Sequence, residues 1–154
     1  MRIPARALIL IGDGEKALFL RNQGTEAHPR LDVERVLEHA DPASREQGSD
    51  RPGRYMGPDG HGRSAVEEVD WHSLEKDRFA REMAQHLYRM AHARAFEDLV
   101  LVAPPRVLGE LRQHLHPEVA DKVRAELTKD LTMHPIAHIV RLLTEGSSSL
   151  HPNR

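Results

Sequence analysis

The stretch Ala7-Leu-Ile-Leu-Ile-Gly-Asp-Gly-Glu-Lys-Ala-Leu-Phe-Leu20 decides the fold class. Ala7–Ile11 is an unbroken apolar run, the pattern of a strand buried on both faces. Gly12-Asp13-Gly14 is a strong turn signal, and Ala17–Leu20 resumes the apolar character, so the two runs form a hairpin. A second unbroken run, Leu99-Val-Leu-Val-Ala103, stops at Pro104-Pro105 and predicts another fully buried strand. Strands covered on both sides need helices on both sides, which points to an α/β sheet.

Working outward, Leu31–His39 reads as a third strand. Leu31, Val33, Arg35 and Leu37 lie on one alternating face and Asp32, Glu34 and Glu38 on the other, as expected of an exposed edge. Those charges discourage open pairing but leave room for a symmetric dimer. A long helix is expected from Trp71 or His72 to Ala95, with Asp70 or Ser73 as N-cap. Leu74, Phe79, Met83, Leu87, Met90, Ala91 and Phe96 form its apolar stripe. A helix over Val107–His116 follows, then a short helical piece after Pro117. A half-exposed strand from Val123 to Leu127 precedes a last helix opened by Pro135 and running to Leu143. The order β-β-β-α-β-α-β-α predicts a mixed five-stranded sheet, ribonuclease-H-like, with the last strands added in parallel. Residues 1–146 are expected to form one domain and 147–154 a polar tail.

Composition narrows the function classes. The 154 residues are 39% apolar and 30% charged, within the range of one globular domain. The net charge of −2 argues against a protein that coats nucleic acid with its whole surface, and no DNA partner is expected. The absence of cysteine excludes disulfides, thiolate zinc sites and cysteine nucleophiles. The longest apolar runs fall well short of the roughly 20 residues that span a bilayer, and Gly12–Gly14 interrupts any secretory core. A cytoplasmic protein with no membrane partner is expected.

Residues 40–70 break every period, and a loop of about 30 residues inside a small domain is usually functional or mobile. Within Arg51–Ser64 stand four glycines, two prolines and three arginines against one acid. Arg51, Arg54 and Arg63, with His61 and Tyr55, are the residue types that contact phosphates and stack on bases. The alternative is that Arg51 and Arg54 pair with Glu46, Asp50 or Glu67 and only pin the loop. A second group, Asp13, Arg106, Arg112, Lys129 and Asp130, falls at strand ends on one rim of the sheet, where open α/β sheets bind ligands. A strand-end ion pair is the plainer role for Lys129 and Asp130.

Four strings carry a family likeness: Leu10–Phe19, Arg51-Pro-Gly-Arg54, Phe96–Arg112 and Lys129-Asp-Leu-Thr132. Together they resemble the bacterial host attachment protein family, similar in fold to the middle domain of class-one translation release factors. That resemblance implies a link to ribosomes or tRNA. In those factors a Gly-Gly-Gln loop precedes a long helix and promotes peptidyl-tRNA hydrolysis. Here Gly60-His-Gly-Arg-Ser-Ala65 stands at the matching place without the triplet, and Gln47 lies well upstream, so the resemblance does not carry that activity over.

Other chemistries find less support. A two-metal nuclease needs converging carboxylates, but Leu99–Ala103 ends in Ala-Pro-Pro and Asp98 sits at its wrong end; Asp13 reads as a turn residue. His134 and His138 are four apart, but Pro135 sets the helix start between them and no His-Glu-x-x-His pattern is present, so no metal is expected. No cofactor is expected either, because Gly12-x-Gly14 opens a strand rather than a helix. The reading is a release-factor-like, non-enzymatic module with RNA or the ribosome as candidate partner. The alternatives are a hydrolase of esters or phosphoesters, and an interaction adaptor linked to cell attachment.

Overall fold

Five strands make one sheet in the order β3-β2-β1-β4-β5: β1 (Leu8–Gly12), β2 (Lys16–Asn22), β3 (Leu31–Glu38), β4 (Leu99–Val102) and β5 (Val123–Leu127). The computed structural model describes residues 1–38 and 64–145, with side chains of the first helix from Leu74 onward. β1–β2 and β2–β3 pair antiparallel, whereas β1–β4 and β4–β5 pair parallel. The expected mixed sheet is therefore present, with the hairpin at its centre and β3 at one edge.

Every residue of β1 and β4 is buried, as their unbroken apolar runs require. Alternate side chains feed two cores. Leu8, Leu10, Phe19, Leu99 and Leu101 face helices α1 (Ser64–His92), α2 (Pro105–His114) and α3 (Pro117–Ala120), meeting Phe79, Met83, Leu87 and Leu108. Ile9, Ile11, Val100 and Val102 face α4 (Ile136–Glu145), meeting Ile139 and Leu143. Each fully buried aliphatic or aromatic side chain contributes about 1.5–3 kcal/mol. No helix among the described residues is long and apolar enough to cross a membrane.

Three expectations need correction. The long helix begins at Ser64, not near Trp71, so Asp70 and Ser73 lie inside it rather than at its N-terminus, and Leu74 is exposed rather than core. Met83 lies over Gly12 and Lys76 over Gly14 at the end of the sheet, and the buried apolar stripe of α1 that packs on the core starts at Phe79, so the stripe does not mark where the helix begins. The helix ends at His92 rather than Ala95 because Arg94 turns into the left-handed region at φ +59°. In β3 the pairing skips Glu34 opposite the Phe19–Leu20 step, a β-bulge. Leu31 lies against the α4 core, opposite Asn22, whereas beyond the bulge Leu37 packs on the α1 core, so the single alternating face does not hold.

Candidate functional site

The parallel strands β1, β4 and β5 end together, and β2 starts and β3 finishes at the same end, with Lys16 opposite Glu38. This rim collects Asp13, the start of α2 with Arg106, and the Lys129–Thr132 segment that follows β5. The Asp-Gly turn builds its first part. Asp13 Oδ1 accepts the backbone N–H groups of Glu15 and Lys16, each at 2.7 Å, and the Asp13 N–H donates to the Lys16 carbonyl at 2.9 Å. The other carboxylate oxygen, Oδ2, accepts the Thr132 hydroxyl at 2.9 Å, and the same hydroxyl lies 3.2 Å from Asp130 Oδ1.

Thr132 is buried, so it staples the β1–β2 turn to the segment after β5. A hydroxyl has one proton and two carboxylates beside it. Such an arrangement fixes two loops; it is not a nucleophile with a base. The sequence places Asp13 at the turn, but the role of Thr132 is missed, because a single threonine after a strand has no spacing signature.

The remaining rim candidates separate. Arg106 Nε lies 3.7 Å from Glu110 Oε2, one turn along α2. The second oxygen of Glu110 is buried without a hydrogen-bond partner among the described residues. Arg112 sits in the last turn of α2 and closes on Glu126 of β5, with Nε donating at 2.8 Å. That pairing lies on the helix flank and holds the guanidinium charge more firmly than usual. Lys129 is half-buried and Asp130 exposed. Lys76 was not foreseen: its aliphatic stem lies over Gly14, where an added Cβ would come within 3.1 Å of Lys76 Cε. Arg51, Arg54, His61 and Arg63 lie outside the described residues, as does the tail after Glu145.

Electrostatics elsewhere serve packing. His114 Nε2 lies 2.9 Å from Asp77 Oδ1, and Arg81 donates to Asp77 Oδ2 at 3.0 Å. The hydrogen bond from His114 holds the Asp77 carboxyl below the usual carboxylate range, with the His114 and Arg81 charges adding to it. Burial, with Arg35 and Arg89 nearby, lowers the pKa of His86, whose ring sits edge-on to Phe19 at 4.9 Å. His134 and His138 approach to 3.1 Å between their Nδ1 atoms. No group of three or more His, Asp or Glu side chains able to hold a metal ion occurs among the described residues. Asp98, at the opposite end of β4, is paired with Arg124.

A family model described as bacterial archaeo-eukaryotic release factor family 12 matches residues 6–143. No curated protein matches the chain. Solved structures are also similar, among them two archaeal proteins. One is an archaeal translation termination factor, aRF1, at 12% identity, covering 92% of this chain and 41% of that one, with a TM-score of 0.47. The other is described only as an archaeal protein, at 12% identity with the same coverages and a TM-score of 0.41. The chain thus spans less than half the length of either.

Proposed function

The chain belongs to bacterial archaeo-eukaryotic release factor family 12, and we propose that it is a release-factor-like, non-enzymatic module that grips RNA or a ribosomal surface through Arg51, Arg54, His61 and Arg63. The observation that carries this reading is the point of attachment of that segment. It leaves the sheet after Glu38 at the rim and joins α1, which begins at Ser64, directly after Arg63. A helix N-terminus offers unpaired N–H groups and the positive end of the helix dipole. Arg63 adds charge of the same sign, and Lys76, Arg106 and Lys129 belong to the same end of the molecule. Phosphate groups are the ligands such a surface attracts.

The test is binding of single-stranded RNA and co-sedimentation with ribosomes, comparing the chain with an Arg51→Ala, Arg54→Ala, Arg63→Ala variant across salt concentrations. The expected result is a large loss of affinity and a salt slope reduced by about 2, from roughly three phosphate contacts. Undiminished, salt-insensitive binding by the variant would overturn the reading.

A hydrolase would need two or more titratable groups with displaced pKa values converging in one cleft. Asp77 and His86, whose pKa values are both lowered, face different partners, and Arg112, whose pKa is raised, faces Glu126. A role in attachment to host cells rests on the string resemblance alone; capture of a defined surface partner by cross-linking in cells would support it.

A further inference from the structure

At the end of the sheet opposite the rim lies a cavity of about 600 Å³, lined in part by Arg6, Arg21, Glu34, Arg94, Glu97 and Asp98. That volume suits a small molecule. The charges around it fall into two kinds. Arg21 is chelated by Glu34 through Nε at 2.9 Å and Nη2 at 3.1 Å, and Asp98 is paired with Arg124. Glu97 stands as an acid, and neither Arg6 nor Arg94 has an ion pair among the described residues.

The backbone singles out the same two arginines. Arg6 at φ +70° and Arg94 at φ +59° are the non-glycine residues with positive φ among those described. Arg6 is the third residue of a turn closed by the Ala7 N–H on the Pro4 carbonyl at 3.1 Å, a position that at positive φ favours Gly or Asn. Arg94 occupies the residue after the cap of α1. The Ala95 N–H bonds the Met90 carbonyl and the Arg94 N–H the Ala91 carbonyl, both at 2.9 Å, a helix ending that favours glycine at the site Arg94 fills.

Both backbones are firmly held. The Arg6 N–H donates to the Asn22 carbonyl at 2.9 Å, and its own carbonyl accepts from Arg21 Nη1 at 3.1 Å. The buried Asn22 side chain ties this segment down through the Ile3 and Pro4 carbonyls. Two separate positions suited to glycine thus carry arginine, and both border one cavity. Held outliers of this kind cluster at ligand sites, and two exposed guanidinium groups without an ion pair among the described residues match the oxygens of a phosphate.

We propose that this cavity binds a phosphate-bearing small molecule of nucleotide size, with Arg6 and Arg94 as the anion clamp and Gln23 and Glu97 facing its polar body. The site is distinct from the surface that grips RNA at the rim and does not depend on it.

The test is calorimetric titration of the full chain with AMP, inorganic phosphate and adenosine, repeated on Arg6→Gly, Arg94→Gly and the double variant. Glycine suits both backbone positions, so the variants should fold with an unchanged or higher Tm. The expected result is AMP binding tighter than phosphate, no adenosine binding, a tenfold or greater loss of AMP affinity in each single variant and no detectable AMP binding by the double variant. Equal AMP affinity in the double variant, or no AMP or phosphate binding at millimolar concentration by the unaltered chain, would overturn the proposal. Displacement of AMP by a single-stranded RNA at equal phosphate concentration would also overturn it, assigning the cavity to nucleic acid instead.

Discussion

The two ends of the sheet use charge in opposite ways. At the rim, Asp13 is closed by two backbone donors and the Thr132 hydroxyl, and Arg106 has Glu110 one turn away. At the far end, two arginines without ion partners among the described residues sit in left-handed backbone where glycine costs less. A satisfied charge explains itself through the fold it holds. Exposed arginines at two strained backbone positions beside one cavity are what the proposed anion site would account for. The described part of the rim reads as a scaffold at Asp13, Thr132 and Arg106, and in the proposed function RNA is gripped by the Arg51–Arg63 segment.

The largest expected effect tests whether the rim is scaffold. Asp13→Ala removes both backbone contacts of the turn and leaves the buried Thr132 hydroxyl with only the longer contact to Asp130, so urea denaturation should show a loss of about 2–3 kcal/mol. A stable Asp13→Ala protein that has lost RNA binding would break the comparison and make Asp13 a contact residue. Thr132→Val, nearly isosteric, removes one staple and should cost about 1–2 kcal/mol by the same assay.

At the far end the sign reverses. Arg94→Gly should raise stability by about 0.5–1 kcal/mol, because relief of the left-handed conformation outweighs the entropy glycine adds to the unfolded chain. Measured destabilisation would mean that the Arg94 side chain supports the fold, leaving the backbone strain without a ligand to account for it.

The smallest effects are read by pH, on the face of α1 between the two ends. The neutral form of His86 is favoured in the fold, so stability should fall as pH drops below about 6.5 and level off once the folded protein also takes up the proton. His86→Gln should flatten that slope. Asp77 behaves oppositely in kind: its lowered pKa contributes stability above the ordinary carboxylate value of about 3.8, lost as pH falls through the folded value, and Asp77→Asn should remove that acid-side loss.

Much of this architecture is legible from residues alone. Ala7–Ile11 and Leu99–Ala103 are apolar on both faces because helices cover both, and Asp13-Gly14 turns where expected. What escapes reading has a common cause: it leaves no mark on burial. The apolar stripe of α1 marks where the helix packs on the core, from Phe79 on, and not where it begins. The Glu34 bulge changes register without changing residue types. Arg94 ends a helix in a conformation that composition assigns to glycine, which moves the apparent helix end to Ala95. For the same reason the Arg6–Arg94 cavity has no sequence signature, since neither a backbone angle nor the meeting of residues 6 and 94 can be read from the chain. Strand ends place Asp13, Arg106, Lys129 and Asp130 at the rim, whereas Arg112 falls on the flank of α2, and the contact from Thr132 to Asp13 leaves no sequence signal.

The division of labour between the two ends is tested most directly by running two assays on two variants side by side: ribosome co-sedimentation and AMP calorimetry, on the Arg51→Ala, Arg54→Ala, Arg63→Ala protein and on the Arg6→Gly, Arg94→Gly protein. The account predicts a reciprocal result, with the triple variant losing ribosomes and keeping AMP, and the double variant keeping ribosomes and losing AMP. A triple variant that sediments with ribosomes as well as the unaltered chain does would contradict it.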